Sequence, residues 1–146
     1  MDRFKSGTPH IIQLSALEKG LDIIIEAGTD KLESKSINLF NFFKTIYNSH
    51  LNKQGYDLVT PLEDNLRGSH ITIAHEESWR ISKCLSLPKG KDRKISVDFR
   101  PDKFIRISLT PLYTNFEDIY NLTYRLFSII EKEEYLQHGY NKPTVT

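Results

Sequence analysis

Arg106 is the side chain of this sequence with the clearest capacity for chemistry. It lies in a short alternating run in which Phe104, Arg106 and Ser108 share one face of a predicted strand. Burying a guanidinium alone is costly, so it either pairs with an acidic side chain or binds the carboxylate or phosphate of a ligand. The residues alone leave both interpretations open, and they favour the structural ion pair.

Other reactive residues show no recognisable catalytic or metal-binding pattern. The five histidines have no close metal-ligand spacing, and His70 and His75 would point to opposite faces of one strand, which is typical of structural or surface groups. The single cysteine, Cys84, lies on an apolar helical face and is predicted to be a core residue rather than a nucleophile. Phosphate-loop, dinucleotide-binding and hydrolase-elbow motifs are absent from the sequence, so those enzyme classes have no support.

The hydrophobic pattern predicts eight elements that would position these side chains. Periods of three to four residues indicate helices, and short alternating β-branched runs indicate strands. Thr114 and Glu117 form a capping-box pattern ahead of the last helix. The order is α-α-β-β-α-β-β-α, an α+β fold of helices packed on a small, mostly antiparallel sheet. The predicted ranges are helices at 11–27, 30–47, 76–87 and 116–136, and strands at 56–60, 69–74, 96–100 and 104–109.

Length and charge narrow the function classes further. A chain of 146 residues is the size of one domain, two at most. Its net charge of +1 argues against nucleic acid and acidic membranes as partners, and the basic run at 89–94 is predicted to be a solvated loop. No internal disulfide is possible with one cysteine, and no signal or membrane-spanning pattern occurs, so we expect a cytoplasmic protein.

Several stretches occur in the order found in kynureninases, and the sequence resembles the C-terminal portion of that family from about residue 4 to 136. The matching stretches are FKSGTP at 4–9, ALEKGLD at 16–22, RGSH at 67–70, DFR at 98–100 and IRISLTPLY at 105–113. The resemblance implies the small C-terminal domain of a fold-type-I pyridoxal-phosphate enzyme. It divides the chain into a helical segment (1–50) leading from a large domain, a small α/β domain (51–137) and a flexible tail (138–146).

The resemblance also implies a reaction and site residues. Kynureninases hydrolyse the Cβ–Cγ bond of L-kynurenine or 3-hydroxykynurenine to alanine and an anthranilate, in tryptophan breakdown and, in some organisms, NAD synthesis. Arg106 matches the arginine that binds the substrate α-carboxylate, which strengthens the anion-site interpretation. Thr8 matches a position that approaches the cofactor, commonly across a dimer interface. Arg67, His70 and Arg100 also match family positions, and scaffold roles are favoured for them.

One departure from the family pattern is large. The lysine that carries pyridoxal phosphate in the family lies in the large domain, and none of the thirteen lysines here has its context. We therefore expect a kynureninase portion that is inactive alone and needs the large domain or a twin subunit, and the apolar first helices predict a homo-oligomer. The alternative is a non-catalytic remnant or a binding module that reuses the same fold.

Overall fold

The computed structural model describes Gly7, residues 10–90 and residues 92–140. The helices and strands follow the order α-α-β-β-α-β-β-α, which confirms the predicted α+β class. They are α1 (Ile11–Ala27), α2 (Thr29–Ser49), β1 (Asp57–Leu58), β2 (His70–Ala74), α3 (Ser78–Ser86), β3 (Asp98–Arg100), β4 (Phe104–Ser108) and α4 (Phe116–Glu131). Short 3₁₀ turns occupy Leu51–Gln54, Asp64–Leu66 and Glu134–Gln137.

The described strands form one antiparallel sheet in the order β1-β2-β4-β3. The two central strands carry isoleucines at alternate positions, and the register places Ile71 opposite Ile107 and Ile73 opposite Ile105. All four side chains are buried. Because side chains alternate between the faces of a strand, the residues between these isoleucines lie on the other, open face of the sheet.

Helices α2, α3 and α4 cover the isoleucine face. Each contributes one apolar stripe to a single core, as their three- to four-residue periods predict. Cys84 is buried in this core, which confirms its predicted place. The helical members of the core are Leu39, Phe40, Phe43, Ile81, Cys84, Leu85, Ile119, Leu122, Leu126 and Ile129.

Tyr56 ties the start of the sheet to the last helix. Its ring is buried, and its hydroxyl donates a hydrogen bond to the Leu126 carbonyl oxygen at 3.0 Å across 70 residues of chain. Burial raises the pKa of this hydroxyl far above its ordinary value, so the group remains a protonated donor. The bond therefore satisfies the polar end of a large core side chain.

The capping box of α4 lies one residue later than predicted. Asn115, not Thr114, is the N-cap: its side chain accepts from the Asp118 amide, and the Asp118 carboxylate accepts from the Asn115 amide. Thr114 donates its amide to the Thr110 carbonyl at 2.9 Å and so belongs to the preceding turn. Threonine and asparagine are both good N-cap residues. Because Thr114 is held in the preceding turn, Asn115 caps the helix.

Some elements are also shorter than predicted. The β1–β2 ladder ends at Leu58 because the amides of Val59 and Thr60 both point to one acceptor, the Thr72 carbonyl. Helix α4 ends at Glu131, and the chain then turns through Glu133, whose φ of 51° is left-handed. The flexible tail is predicted for residues 138–146, of which the structure describes 138–140. Within these three residues, the Tyr140 hydroxyl donates a hydrogen bond to the Glu77 carboxylate at 2.7 Å.

Helix α1 differs from the other helices because it contributes no buried residue. It joins α2 through Gly28, whose φ of +82° is a conformation that favours glycine. Its exposed large apolar side chains are Ile11, Ile12, Leu14, Leu17, Leu21, Ile23 and Ile25. None of the helices in the described ranges combines the length and the apolar character that crossing a bilayer requires.

His75 connects the turn before β1 to the start of α3 through hydrogen bonds. Its Nε2 lies 3.1 Å from the Gln54 carbonyl oxygen, and its Nδ1 accepts the Glu77 amide at 2.9 Å. These partners require a neutral ring with its proton on Nε2. Burial lowers the pKa of the imidazole, and this effect outweighs the Gln54 carbonyl and the carboxylates of Glu77, Glu76 and Asp57, which act in the opposite direction.

We expect the free energy of unfolding to fall between about pH 7 and pH 5. Unfolded His75 takes up a proton near its ordinary pKa of about 6.5, while the folded ring resists protonation, so protons favour the unfolded chain. Urea titrations at pH 7.5, 6.5 and 5.5 measure this slope. His75→Gln should flatten it, whereas the exposed control His10→Gln should not. An unchanged slope in His75→Gln would contradict the prediction.

Candidate functional site

The open face of the sheet is built from three strands. Arg106 lies at the centre of β4, directly opposite Thr72 on β2 and Asp98 on β3. Its neighbours Ile105 and Ile107 are buried beneath the helices, so the alternation of β4 directs Arg106 to the uncovered side. The sequence-based placement of Arg106 on a face shared with Phe104 and Ser108 agrees with this geometry.

Arg106 has a carboxylate partner within the chain. Its Nη2 donates to Asp98 Oδ2 at 2.7 Å, and the same oxygen accepts from Arg100 Nε at 2.9 Å. The side chains of Arg106 and Asp98 are 41% and 45% exposed. The structural ion pair favoured by the bare sequence pattern is therefore present, but at the surface rather than in a closed interior.

One carboxylate serving two guanidiniums leaves this group of three residues with a net charge of +1. Exposed ion pairs contribute only about 0–1 kcal/mol to stability. The carboxylate of a ligand could therefore replace Asp98 as the partner of Arg106 at a small cost in free energy. A guanidinium also presents several donors in a planar fork, which permits a second acceptor beside the first. The arrangement can therefore bind an anion without dismantling the sheet.

Hydroxyl groups lie at the end of the same face. Ser108 follows Arg106 by two residues, and its Oγ is 3.1 Å from Thr110 Oγ1. His70, opposite Ser108 in the register, is exposed at the start of β2. The face around Arg106 thus offers hydrogen-bonding groups as well as charge.

The remaining predicted residues lie apart or outside the description. Thr8, predicted to approach a cofactor, is not among the described residues and stays a prediction. The Arg67 side chain is only 3% exposed, packs against the Phe40 ring and pairs with Asp64 rather than with the Arg106 group. Arg100, in contrast, belongs to the Arg106 group through its bonds to Asp98.

Sequence reasoning did not assign Asp98 a role, although a signal for it was present. In the hairpin that joins β3 to β4, residues 98 and 106 are equally distant from position 102 in the turn. Antiparallel pairing about that turn places the two side chains opposite each other on one face. The position of the turn in the sequence therefore predicts that Asp98 pairs with Arg106.

Two other candidate chemistries find no support in the described ranges. They hold no cluster of three or more histidine, cysteine, aspartate or glutamate side chains suited to a metal ion. Burial of the Cys84 thiol raises its pKa to about 11, which outweighs the nearby arginines that lower it, so the thiol stays protonated at neutral pH. The Arg106 group remains the best-formed candidate site.

Comparison with known proteins identifies the family. The family model for the Kynureninase C-terminal domain matches residues 32–126. The chain is 32% identical over 142 residues to a kynureninase from Geobacillus thermodenitrificans, covering 97% of this chain and 32% of that protein. A kynureninase from Bacillus anthracis is 33% identical over 134 residues, covering 92% and 30%. The chain spans about a third of the length of these relatives, and it belongs to the kynureninase family, whose C-terminal domain it matches.

Proposed function

We propose that this chain is the C-terminal portion of an enzyme that hydrolyses L-kynurenine or 3-hydroxykynurenine to alanine and the corresponding anthranilate. The observation that carries the proposal is the accessible Arg106 guanidinium in a group of net charge +1 on the open face. An amino-acid substrate brings an α-carboxylate, which is the ligand that an arginine fork suits best. Arg106 would bind this group and so orient the substrate.

Asp98 and Arg100 would define how Arg106 receives that carboxylate. Asp98 holds Nη2 from one side, which leaves the rest of the guanidinium fork for the substrate. Arg100 neutralises Asp98 through a second bond, so the Asp98 charge repels an incoming carboxylate less strongly. The three residues together would favour one anionic group per site.

The cofactor would be held elsewhere. Pyridoxal phosphate, when bound, supplies the electron sink for this chemistry, and in the family a lysine carries it. The strand residues that share the open face with Arg106 include no lysine, so these residues do not by themselves form a pyridoxal-phosphate site. We propose that the family's large domain supplies the site, that Thr8 approaches it, and that this chain is inactive alone.

Helix α1 supports a requirement for a partner. All of its residues lie outside the core, and seven large apolar side chains face solvent. Such a surface is unusual for a monomer and typical of a contact region. We propose that α1 packs on the large domain or on a twin subunit in a homo-oligomer. A cytoplasmic location, and a place in tryptophan breakdown or NAD synthesis, remain expectations from the family.

We expect hydrolysis to depend on Arg106 once a large domain is supplied. The chain would be co-expressed with the large domain of the Geobacillus thermodenitrificans relative, and kynurenine turnover would be followed with pyridoxal phosphate present. Arg106→Ala should lower kcat/KM roughly 100-fold or more because the substrate loses its orientation. Arg106→Lys should restore part of it, and the exposed control Arg93→Ala should match the wild type. Association without any turnover would instead indicate the non-catalytic alternative.

The free energy of unfolding of Arg106→Ala distinguishes a substrate-binding role of Arg106 from a structural role. Arg106→Ala should lower the free energy of unfolding by less than about 1 kcal/mol, since its ion pair is exposed. The neighbouring control Ile105→Ala should cost about 2–5 kcal/mol because it leaves a cavity in the core. Urea unfolding of the isolated chain measures both. A cost for Arg106→Ala as large as that for Ile105→Ala would show that the arginine is chiefly structural.

We also expect the isolated chain to self-associate through α1. Leu17→Asp places a charge in the apolar surface and should shift the light-scattering mass towards the monomer. Ser15→Asp adds the same charge to an exposed position of the same helix and should leave the mass unchanged. A monomeric wild-type chain would contradict self-association.

A further inference from the structure

An aromatic cleft lies between α2 and α4, on the helical side of the sheet and opposite the open face that carries Arg106. Its volume is about 470 Å³. This volume is within the roughly 300–1,000 Å³ of ordinary small-molecule pockets, which often lie between packed helices. The side chains along its two walls are Phe42, Ile46 and His50 from α2 and its C-cap, and Tyr120, Tyr124 and Phe127 from α4.

Two aromatic contacts between the helices bound this cleft. At one end the rings of Phe42 and Phe116 meet edge-on, with their centroids 5.4 Å apart. At the other end the rings of His50 and Phe127 meet edge-on at 6.0 Å. A partner helix docks along an uninterrupted apolar groove, and these contacts interrupt the groove between α2 and α4. The cleft is therefore better suited to a small molecule than to a helix.

Tyr120 and Tyr124 form the accessible wall of the cleft. Their rings are nearly parallel, with an interplanar angle of 17° and centroids 6.5 Å apart. The two residues are 57% and 56% exposed, so much of their ring surface is in contact with solvent. Aromatic rings gain free energy from offset or edge-on contact with another ring, beyond the burial of apolar area. This wall therefore favours a planar aromatic ligand over a saturated one.

The cleft offers nothing to balance the charge of an ionic ligand. No lysine, arginine, aspartate or glutamate is among the described residues that line it. Its buried lining residue, Thr123, donates its hydroxyl to the carbonyl oxygens of Ile119 and Tyr120, both at 2.9 Å. An ion that entered would lose hydration without gaining a partner, which is unfavourable. The fitting ligand is therefore uncharged.

We propose that the aromatic cleft binds a planar aromatic molecule of about two fused rings and no net charge. A closed cavity of about 150 Å³ holds one benzene ring, so a larger and open cleft suits a two-ring molecule. The hydroxyls of Tyr120 and Tyr124 and the imidazole of His50 would supply hydrogen bonds to one polar substituent. The inference goes beyond the proposed function, since this binding needs neither the large domain nor turnover.

Three matched ligands test the chemistry of the cleft. Equilibrium dialysis of the purified chain against 2-naphthol, which is planar and neutral, should give one site per chain with a Kd of about 1 mM or lower. The saturated analogue decahydro-2-naphthol should bind at least about fivefold more weakly, because it lacks the ring contacts. The anion 2-naphthoate should also bind at least about fivefold more weakly, because its charge has no partner. Equal Kd values for the three ligands, or tighter binding of 2-naphthoate, would overturn the proposal.

Variants locate the binding site. Tyr124→Ala removes one wall ring and should raise the Kd for 2-naphthol at least about fivefold, and Tyr120→Ala should act in the same direction. Tyr113→Ala is the matched control, because this tyrosine is 76% exposed and lies outside the cleft. Arg106→Ala should also leave the Kd unchanged. Binding that is lost in Arg106→Ala, or that is as tight in Tyr124→Ala as in the wild type, would contradict the assignment.

A second copy of the chain is the alternative occupant of the cleft. If it covers the cleft, the wild type should not bind 2-naphthol, and Tyr124→Ala should lower the light-scattering mass towards the monomer. That result would overturn the proposal. Absence of 2-naphthol binding would leave the proposed function untouched, because Arg106 lies on the other side of the sheet.

Discussion

The one-sided burial of β2 and β4 is the constraint on which the rest of the structure depends. Four isoleucines face the helices, and a shift of either strand by one residue would turn the two isoleucines of that strand towards the open face. The same register fixes Arg106 on the uncovered side, between Thr72 and Asp98. The position of the candidate binding group is therefore a direct result of core packing, and it needs no interaction of its own to be maintained.

Arg106 and Arg67 differ in how their charges are balanced. Arg106 shares one carboxylate with Arg100 and is open to solvent, so an external anion can approach it. The Arg67 side chain is enclosed beside the Phe40 ring and is paired with Asp64, so its charge is balanced within the chain. Of these two arginines, only Arg106 therefore presents its guanidinium to solvent as a possible binding group.

Periodicity predicted most of the fold, because element order and the face of Arg106 depend on local patterns. The pairing of Asp98 was missed because it depends on hairpin register, a relation between two strands rather than within one. The cap of α4 was misplaced by one residue because the hydrogen bond between Thr114 and Thr110 belongs to a turn that propensities do not show. The aromatic cleft is invisible in sequence, since it results from how α2 and α4, which are distant along the chain, pack against each other.

The bond from the Tyr56 hydroxyl to the Leu126 carbonyl joins the first strand region to the last helix. A nascent chain on the ribosome that has not yet produced α4 therefore leaves this hydroxyl and the adjoining isoleucines without their cover. Contacts between residues so distant in sequence form late and slow the search for the native state. Until α4 is synthesised, the apolar face of the sheet lacks this cover, and exposed apolar surface of this kind favours aggregation.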